Sequence, residues 1–410
     1  MNYEKTVVVI GGGPSGTMSA GTAAVRGNRV ILLERNEKLG KKLYITGKGR
    51  CNITNACSID EFLENIPRNP KFLYSAIYSF TDQDLMAFFN KRGLDLKIER
   101  GNRVFPRSDK SSDVIKVLEK YIRECGVEIV FGYRVEKILQ DKGTVIGVQG
   151  RDGKITPCQA VILCTGGISY PSTGSIGDGY KMACELGHSL VSPIPSLVSL
   201  VIKEGWVKEL QGLSLRNVRL SCRMRGKILF SEIGEMIFTH YGISGPLVLS
   251  LSSHIIGRDF SKLEIILDLK PGLSEEQLDK RILRDFDKFS RKQYKNALND
   301  LFPQKIIPTM IRLSGISADK QVHQISKEER KRLVTLSKGL IFHIERFRPV
   351  EEAIVTRGGI PTKEINPSTM ESRLIKGLFF AGEIIDVDGY TGGFNLQIAF
   401  STGYLAGSSC

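Results

Sequence analysis

Six residues near the start of the chain, Gly11-Gly12-Gly13-Pro14-Ser15-Gly16, constrain the fold more than any other feature. They stand between an apolar run, Thr6–Ile10, and a small-residue segment with helical character, Thr17–Arg26. A second apolar run, Arg29–Leu33, follows and ends on Glu34 and Arg35. Strand, glycine turn, helix and strand make a βαβ unit. G-x-G-x-x-G at its first bend brings backbone N–H groups and a helix N-terminus to a pyrophosphate. Gly11, Gly13 and Gly16, with Pro14 and Ser15 between them, permit the tight turn and the close approach. The acid at Glu34 is placed to accept ribose hydroxyl bonds and disfavours a 2′-phosphate.

With 410 residues, the chain is expected to form two or three domains. Hydrophobic content of 41%, charged content of 25% and a mean hydropathy of −0.09 describe an ordinary globular protein. The start, from Met1 to Ile10, is a short polar lead into a strand without the regions of a secretory signal, and the reading is of a cytoplasmic protein that needs no membrane. Eight cysteines form no Cys-x-x-Cys pair and no zinc-like spacing. They are read as reduced and mostly structural, with Cys125, Cys158, Cys164 and Cys184 in or beside apolar runs and no metal site expected. A net charge of +14 favours anionic partners, whether dinucleotide, acidic substrate or nucleic acid. Much of it is local, in Lys280, Arg281, Arg284, Lys288, Arg291, Lys292 and Lys295 and again in Lys327, Arg330, Lys331 and Arg332. Solvated helix faces are the ordinary source of such runs.

Further strands are expected at Val127–Phe131 and Ala160–Cys164, hairpin-like segments around Val135–Val148, and a helix at Asp178–Leu186. From Pro193 the pattern changes to alternating strands at Leu197–Val201, Val218–Met224, Lys227–Phe230 and Leu263–Leu269. The charged stretch Ser274–Leu301 has helical apolar spacing in Leu278, Ile282, Phe286 and Phe289. Strand-like pieces return at Gly339–Ile344 and Glu352–Val355, and Gly377–Ala381 runs into a glycine-rich loop. The expected fold class is therefore α/β: a discontinuous Rossmann-like dinucleotide-binding domain, residues 1–192 and 356–410, interrupted by a β-rich domain, residues 193–270 and 335–355, and a helical domain, residues 271–334.

At the far end, Gly377-Leu-Phe-Phe-Ala-Gly382-Glu383 is a strand ending in a carboxylate, followed by Asp386, Asp388 and Gly389 and by a helix opening at Gly392-Gly393-Phe394-Asn395-Leu396-Gln397. This resembles the second FAD-binding segment of two-part flavoproteins. There the strand-end acid bonds the ribityl chain and a helix N-terminus approaches the flavin ring, where its dipole stabilises negative charge. Thr165-Gly166-Gly167 resembles the crossover beside the FAD pyrophosphate, and Gly174-Ser-Ile-Gly177-Asp178-Gly179 the helix opening after it.

Three longer motifs, Leu43–Asn55, Phe238–Pro246 and Gly382–Gln397, resemble the signatures of the BaiN/YhiN-like NAD(P)/FAD-dependent oxidoreductases, also called aminoacetone-oxidase-like flavoproteins. The likeness covers essentially the whole chain; Phe394 stands where tyrosine is common. It implies that Gly47, Arg50, Cys51, Asn52 and Thr54 lie along FAD. Arg50 would neutralise phosphate or reduced flavin, and Asn52 and Thr54 would donate hydrogen bonds. Val135, Gly382, Glu383, Asp386, Gly392, Gly393, Asn395 and Leu396 complete the cofactor-binding positions, and Thr356, Gly358 and Gly359 resemble the return segment. Cys51 has no resolving cysteine nearby and fits a packing role. His240, in the turn of the second motif, is a candidate proton donor or substrate anchor, or a structural histidine.

The leading expectation is an FAD-dependent oxidoreductase acting on a small molecule. A small organic compound or a transiently docked NAD(P)H donates electrons, and a second acceptor, oxygen among the candidates, receives them. The alternative is an RNA-associated flavoprotein using its basic helical insertion, although no RNA-binding signature is present.

Overall fold

A computed structural model describes residues 4–410, so the first three residues of the polar lead lie outside the described residues. The chain divides into two units, residues 4–196 with 350–410 and residues 197–349, each with its own apolar core.

In the first unit, β1 (Thr6–Ile10), β2 (Arg29–Leu33), β3 (Glu128–Val130), β4 (Ala160–Leu163) and β5 (Leu378–Phe380) form a parallel sheet in the order β5-β4-β1-β2-β3. Most of these strands are continuous apolar runs, as burial on both faces requires, and Val8, Ile162 and Phe380 are fully buried. The register pairs Ile10 with Leu33 and Leu163, and Leu163 with Phe380. The carboxyl ends of these strands are thereby level. Gly11, Glu34, Cys164 and Ala381, the residues that follow them, emerge together where the strand order reverses, the usual ligand crevice of such sheets.

The helix α1 spans Pro14–Val25 and starts before the expected Thr17, because Pro14 presets the first helical φ and Gly13 serves as its N-cap. The last helix of the chain packs against α1 with its backbone close by. A Cβ added to Gly403 or Gly407 would come within 2.4 Å of the Ser15 or Ser19 carbonyl oxygen, respectively. The expected hairpin is Val135–Asp141 paired with Thr144–Gly150, and α2 spans Asp178–Glu185. The segment Val191–Ser196 pairs antiparallel with Val355–Gly359, so both strands belong to this unit. Residues 193–196 and 355, grouped by their pattern with the β-rich segment, therefore have their backbone partners here.

The second unit is built on a seven-stranded antiparallel sheet whose longest strands are Ser214–Met224 and Lys227–Phe238. Helices Glu275–Lys288, Ile307–Ser314 and Lys327–Lys338 place Leu278, Ile282, Phe286, Met310 and Leu333 in the same core as Leu220, Ile265 and Phe342 of the sheet. The β-rich and helical segments thus share one interior.

All eight cysteines are free. Cys158 and Cys164 are buried as expected, but Cys184 is exposed: it lies on the solvent face of α2, outside the buried positions Tyr180, Met182 and Ala183. Among the described residues there is no metal-competent cluster, and no helix is long and apolar enough to cross a membrane.

Candidate functional site

The three fingerprint glycines have different physical reasons. Gly11 has φ +103°, and a Cβ there would lie 2.6 Å from the Cys164 carbonyl oxygen; one at Gly16 would lie 1.8 Å from that of Gly11. Both positions are closed by backbone. A Cβ at Gly13 would meet nothing within 4 Å, so this position opens onto free space at the start of α1. Its N-cap makes no side-chain bond, Pro14 is in the first turn and no acid lies there. Together these leave unsatisfied N–H groups and a positive dipole end facing that space.

Glu34 is buried, and its carboxylate holds the loop together. Gly12 N–H donates to Oε2 at 2.7 Å, while Asn36 donates its backbone N–H and its Nδ2 to Oε1, each at 2.7 Å. Arg35 donates to Asp178 at 3.1 Å and Gly174 O at 3.4 Å, tying the end of β2 to the start of α2. Val135 is buried at the head of the hairpin. Gly166 has φ +74°, and Ser15 is buried with its Oγ 2.6 Å from where a Gly382 Cβ would sit.

At the end of β5, Glu383 accepts from Lys42 Nζ at 2.7 Å and from Thr356 N–H at 2.9 Å, and Lys42 also donates to Ser169 Oγ at 2.6 Å. Asp386 takes a bidentate bond from Arg68, at 2.6 and 2.8 Å, and Asp388 is paired with Arg357 at 3.1 Å. Asn395 clasps the loop ahead of the last helix, accepting from Gly389 N–H at 2.9 Å and donating to Gly389 O at 2.7 Å. That helix, α3 (Phe394–Ser409), begins at Gly393, with φ +106°; a Cβ there would lie 2.3 Å from Thr54 O. Thr54 donates to Gln397 at 2.6 Å, Asn55 donates to Gly392 O at 3.0 Å, and Leu396 is half-buried in the first turn. The N-terminus of α3 also carries no capping side chain and no acid. Gly358 and Gly359 run against the carbonyls of Ser192 and Ile384, at 2.6 and 2.4 Å from an added Cβ.

The structure thus gathers the fingerprint, Glu34, the Gly47–Asn55 segment, Thr165, Gly166 and the Gly382–Leu396 loop into one unit. Gly47 lies in a left-handed stretch with φ +57°. Arg50 is held by Glu99 and by Asp109, 2.6 Å away, and stacks 4.1 Å over Phe105. Its hydrogen bond to Glu99, first among its interactions, raises its pKa. The charge expected to neutralise phosphate or reduced flavin is therefore already paired with carboxylates. Cys51 is fully buried, and burial pushes its thiol up to about 12, which agrees with packing rather than thiolate chemistry. His240 lies in the other unit, exposed and edge-on to Tyr241.

Sequence reading missed Lys42, Ser169, Arg68 and Arg357. Lys42 and Arg68 are not marked locally because their carboxylate partners lie 341 and 318 residues away, whereas Arg357 stands inside the return segment, 31 residues from Asp388. Among the described residues four buried side-chain oxygens have no hydrogen-bond partner: Asn28 Oδ1 and Ser408 Oγ, away from the loops of the site, and Asn52 Oδ1 and Thr165 Oγ1. The last two concern the site, in segments that the resemblance lays along FAD. With the open space at Gly13 and two uncapped helix N-termini, the residues present fit an extended dinucleotide carrying phosphate and polar groups.

The family model for the HI0933-like protein Rossmann domain matches residues 5–409. The chain belongs to this family. A 3-dehydro-bile acid delta(4,6)-reductase of Clostridium scindens is 35% identical over 405 residues, covering 97% of each chain. A ribosomal RNA dihydrouridine synthase of Escherichia coli is 28% identical over 403 residues, covering 97% of this chain and 96% of the relative. Among solved structures, 3-ketosteroid delta1-dehydrogenase from Sterolibacterium denitrificans aligns with a TM-score of 0.53 over 98% of both chains at 14% identity, a likeness of fold alone. This HI0933-like chain is an FAD-dependent oxidoreductase with a Rossmann-type α/β fold.

Proposed function

We propose that this HI0933-like flavoprotein reduces a carbon–carbon double bond conjugated with a carbonyl group, with a transiently docked NAD(P)H as electron donor. One observation carries the reading. Two full-length relatives with unlike substrates, a 3-dehydro bile acid and ribosomal RNA, are named for the same chemistry, saturation of an alkene activated by a neighbouring carbonyl. FAD, when bound, supplies the hydride transfer. Overall, the alkene gains one hydride and one proton while NAD(P)H becomes NAD(P)+.

The chain's own residues have these proposed roles. The N–H groups at the start of α1, beside Gly13, hold the pyrophosphate, and Glu34 orders Gly12 and accepts from the adenosine ribose. Glu383, fixed by Lys42 and Thr356, accepts from the ribityl chain, and Asn52 and Thr165 offer it their unpartnered oxygens. The N-terminus of α3 favours negative charge. His240 is the proposed proton donor or substrate anchor.

The test is anaerobic reduction of the FAD-loaded protein with NADH and with NADPH, followed by re-oxidation with a steroid enone, a uridine-containing RNA or oxygen. Saturated product, two mass units heavier by the added hydrogens, supports the proposal. Rapid re-oxidation by oxygen alone, with neither alkene consumed, overturns it. A second reading, in which the alkene is a uracil ring within RNA, is favoured by the charge distribution. Residues 197–349 hold 27 Lys and Arg against 17 Asp and Glu, a surplus of 10 out of the chain's net +14.

A further inference from the structure

We propose that the carboxyl-terminal end of the helix Glu275–Lys288, with the turn after it, is an RNA-docking surface. This rests on the second reading above. Lys280, Arg284 and Lys288 recur every fourth residue on this helix, so they stand on successive turns about 6 Å apart along one face. Lys280 is exposed, and the side chains of Arg284 and Lys288 are 72% and 62% exposed, so the stripe faces solvent. Arg291 and Lys292, both exposed, continue the positive charge past the helix end.

The half-buried Phe289 orders the centre of this cluster. Lys292 Nζ lies 4.3 Å and Lys288 Nζ 4.7 Å from its ring centroid, within cation–π range. The turn itself is braced, with Lys292 N–H bonded to Phe289 O, Val322 N–H to Lys292 O, and His323 N–H to Ser290 O. Cations already held in place lose less conformational freedom when they meet a polyanion.

Local acids answer only part of this charge. Asp300 lies 2.7 Å from Lys288, and Asp319 lies 2.7 Å from Lys295. The buried Asp285 faces Arg281 at 3.0 Å and Arg284 at 3.8 Å, and Asp287 is a further exposed acid on the helix. Among the described residues, Lys280, Arg291 and Lys292 have no acid within salt-bridge distance. Complementing the helix dipole explains Lys288 and Lys292, whose amino groups lie over Phe289 at the helix end, but not Lys280, about two turns before it. A ribose–phosphate backbone supplies the spaced negative charge that such a stripe lacks.

The test uses the full-length FAD-loaded protein and deproteinised bacterial ribosomal RNA as the probe, at several salt concentrations. The patch variant is R284E/R291E/K292E. The charge-matched comparison is K203E/K208E/R225E, three exposed cations elsewhere in the same unit. The expected result is a Kd raised more than about tenfold in the patch variant, and a slope of log K against log salt shallower by about two, as losing two or three phosphate contacts requires. The comparison variant should stay within about threefold of wild type.

Equal losses in the two variants would mean general charge attraction and would overturn the proposal. So would patch-dependent binding to phosphatidylglycerol vesicles that is tighter than binding to RNA. Melting temperatures and flavin reduction by NAD(P)H, measured on all three proteins, identify a folding defect. If no alkene is reduced while RNA binding stays patch-dependent, the catalytic reading fails and the docking surface stands; the reverse outcome removes only the surface.

Discussion

Replacing Glu34 with glutamine tests the adenosine end of the site with the least change of shape. The carboxylate accepts three N–H bonds, from Gly12 N and from Asn36 N and Nδ2, each at 2.7 Å, and is 6% exposed. An amide keeps one acceptor oxygen. Its least costly orientation keeps that oxygen on the two Asn36 donors and turns its NH2 toward Gly12 N–H, so donor faces donor and one charge-assisted bond is lost. Such a bond is worth about 1.5–3 kcal/mol. That loss weakens the loop itself. The proposed bond from the adenosine ribose loses the same charged acceptor at a comparable cost, so at about 1.4 kcal/mol per decade FAD affinity should fall roughly tenfold to a hundredfold. The assay is titration of FAD into apoprotein, with circular dichroism and Tm recorded on the same preparation. The spectrum of the flavin that does bind should be unchanged, because the altered contact is at the adenosine end. Glu37→Gln, which removes only the surface pair with Lys41, should leave affinity within about twofold. A folded Glu34→Gln protein with wild-type Tm and wild-type FAD affinity would refute the reasoning.

Denaturing release of the bound flavin followed by chromatography should yield FAD, because a βαβ unit for an adenosine half serves no purpose with a mononucleotide; recovery of FMN alone would contradict it. His240→Ala should impair substrate turnover while keeping FAD content, whereas a merely structural histidine would lower Tm and leave both half-reactions at wild-type rates. Brief native alkylation near neutral pH, mapped by mass spectrometry, should modify the exposed Cys184 and spare Cys51 and Cys164, whose thiols burial pushes up to about 12; early labelling of Cys51 would contradict this. His188 is buried between Glu364 and Ser372, each 2.9 Å away, and burial above all lowers its pKa. Its folded pKa lies below the unfolded value of about 6.5, so its stabilising contribution is present above that pH and lost as the pH falls. Wild-type Tm should therefore drop more steeply between about pH 7.5 and 5.5 than that of His188→Gln; parallel profiles would count against it.

The sequence alone determined the βαβ unit, its glycine loop and the acid at Glu34, because these depend on neighbours: an apolar run, a turn that only glycine can make, a helix start and a strand end. It also showed that Gly377–Glu383 repeats the strand-then-acid pattern, and that the chain between is of another character. Only the tertiary structure decided that β5 lies beside β4, bringing Glu383 to Lys42 and Thr356, and that Thr54 and Gln397 meet. Parallel strands pair across any length of intervening chain, so nothing in the local sequence near Lys42 marks its partner. The same physics explains Arg50, whose positive charge suggested a phosphate partner but whose guanidinium is held by Glu99 and Asp109. It explains Cys184 as well: an apolar surrounding stretch says that a helix buries one face, and only the packed helix shows which residues look out.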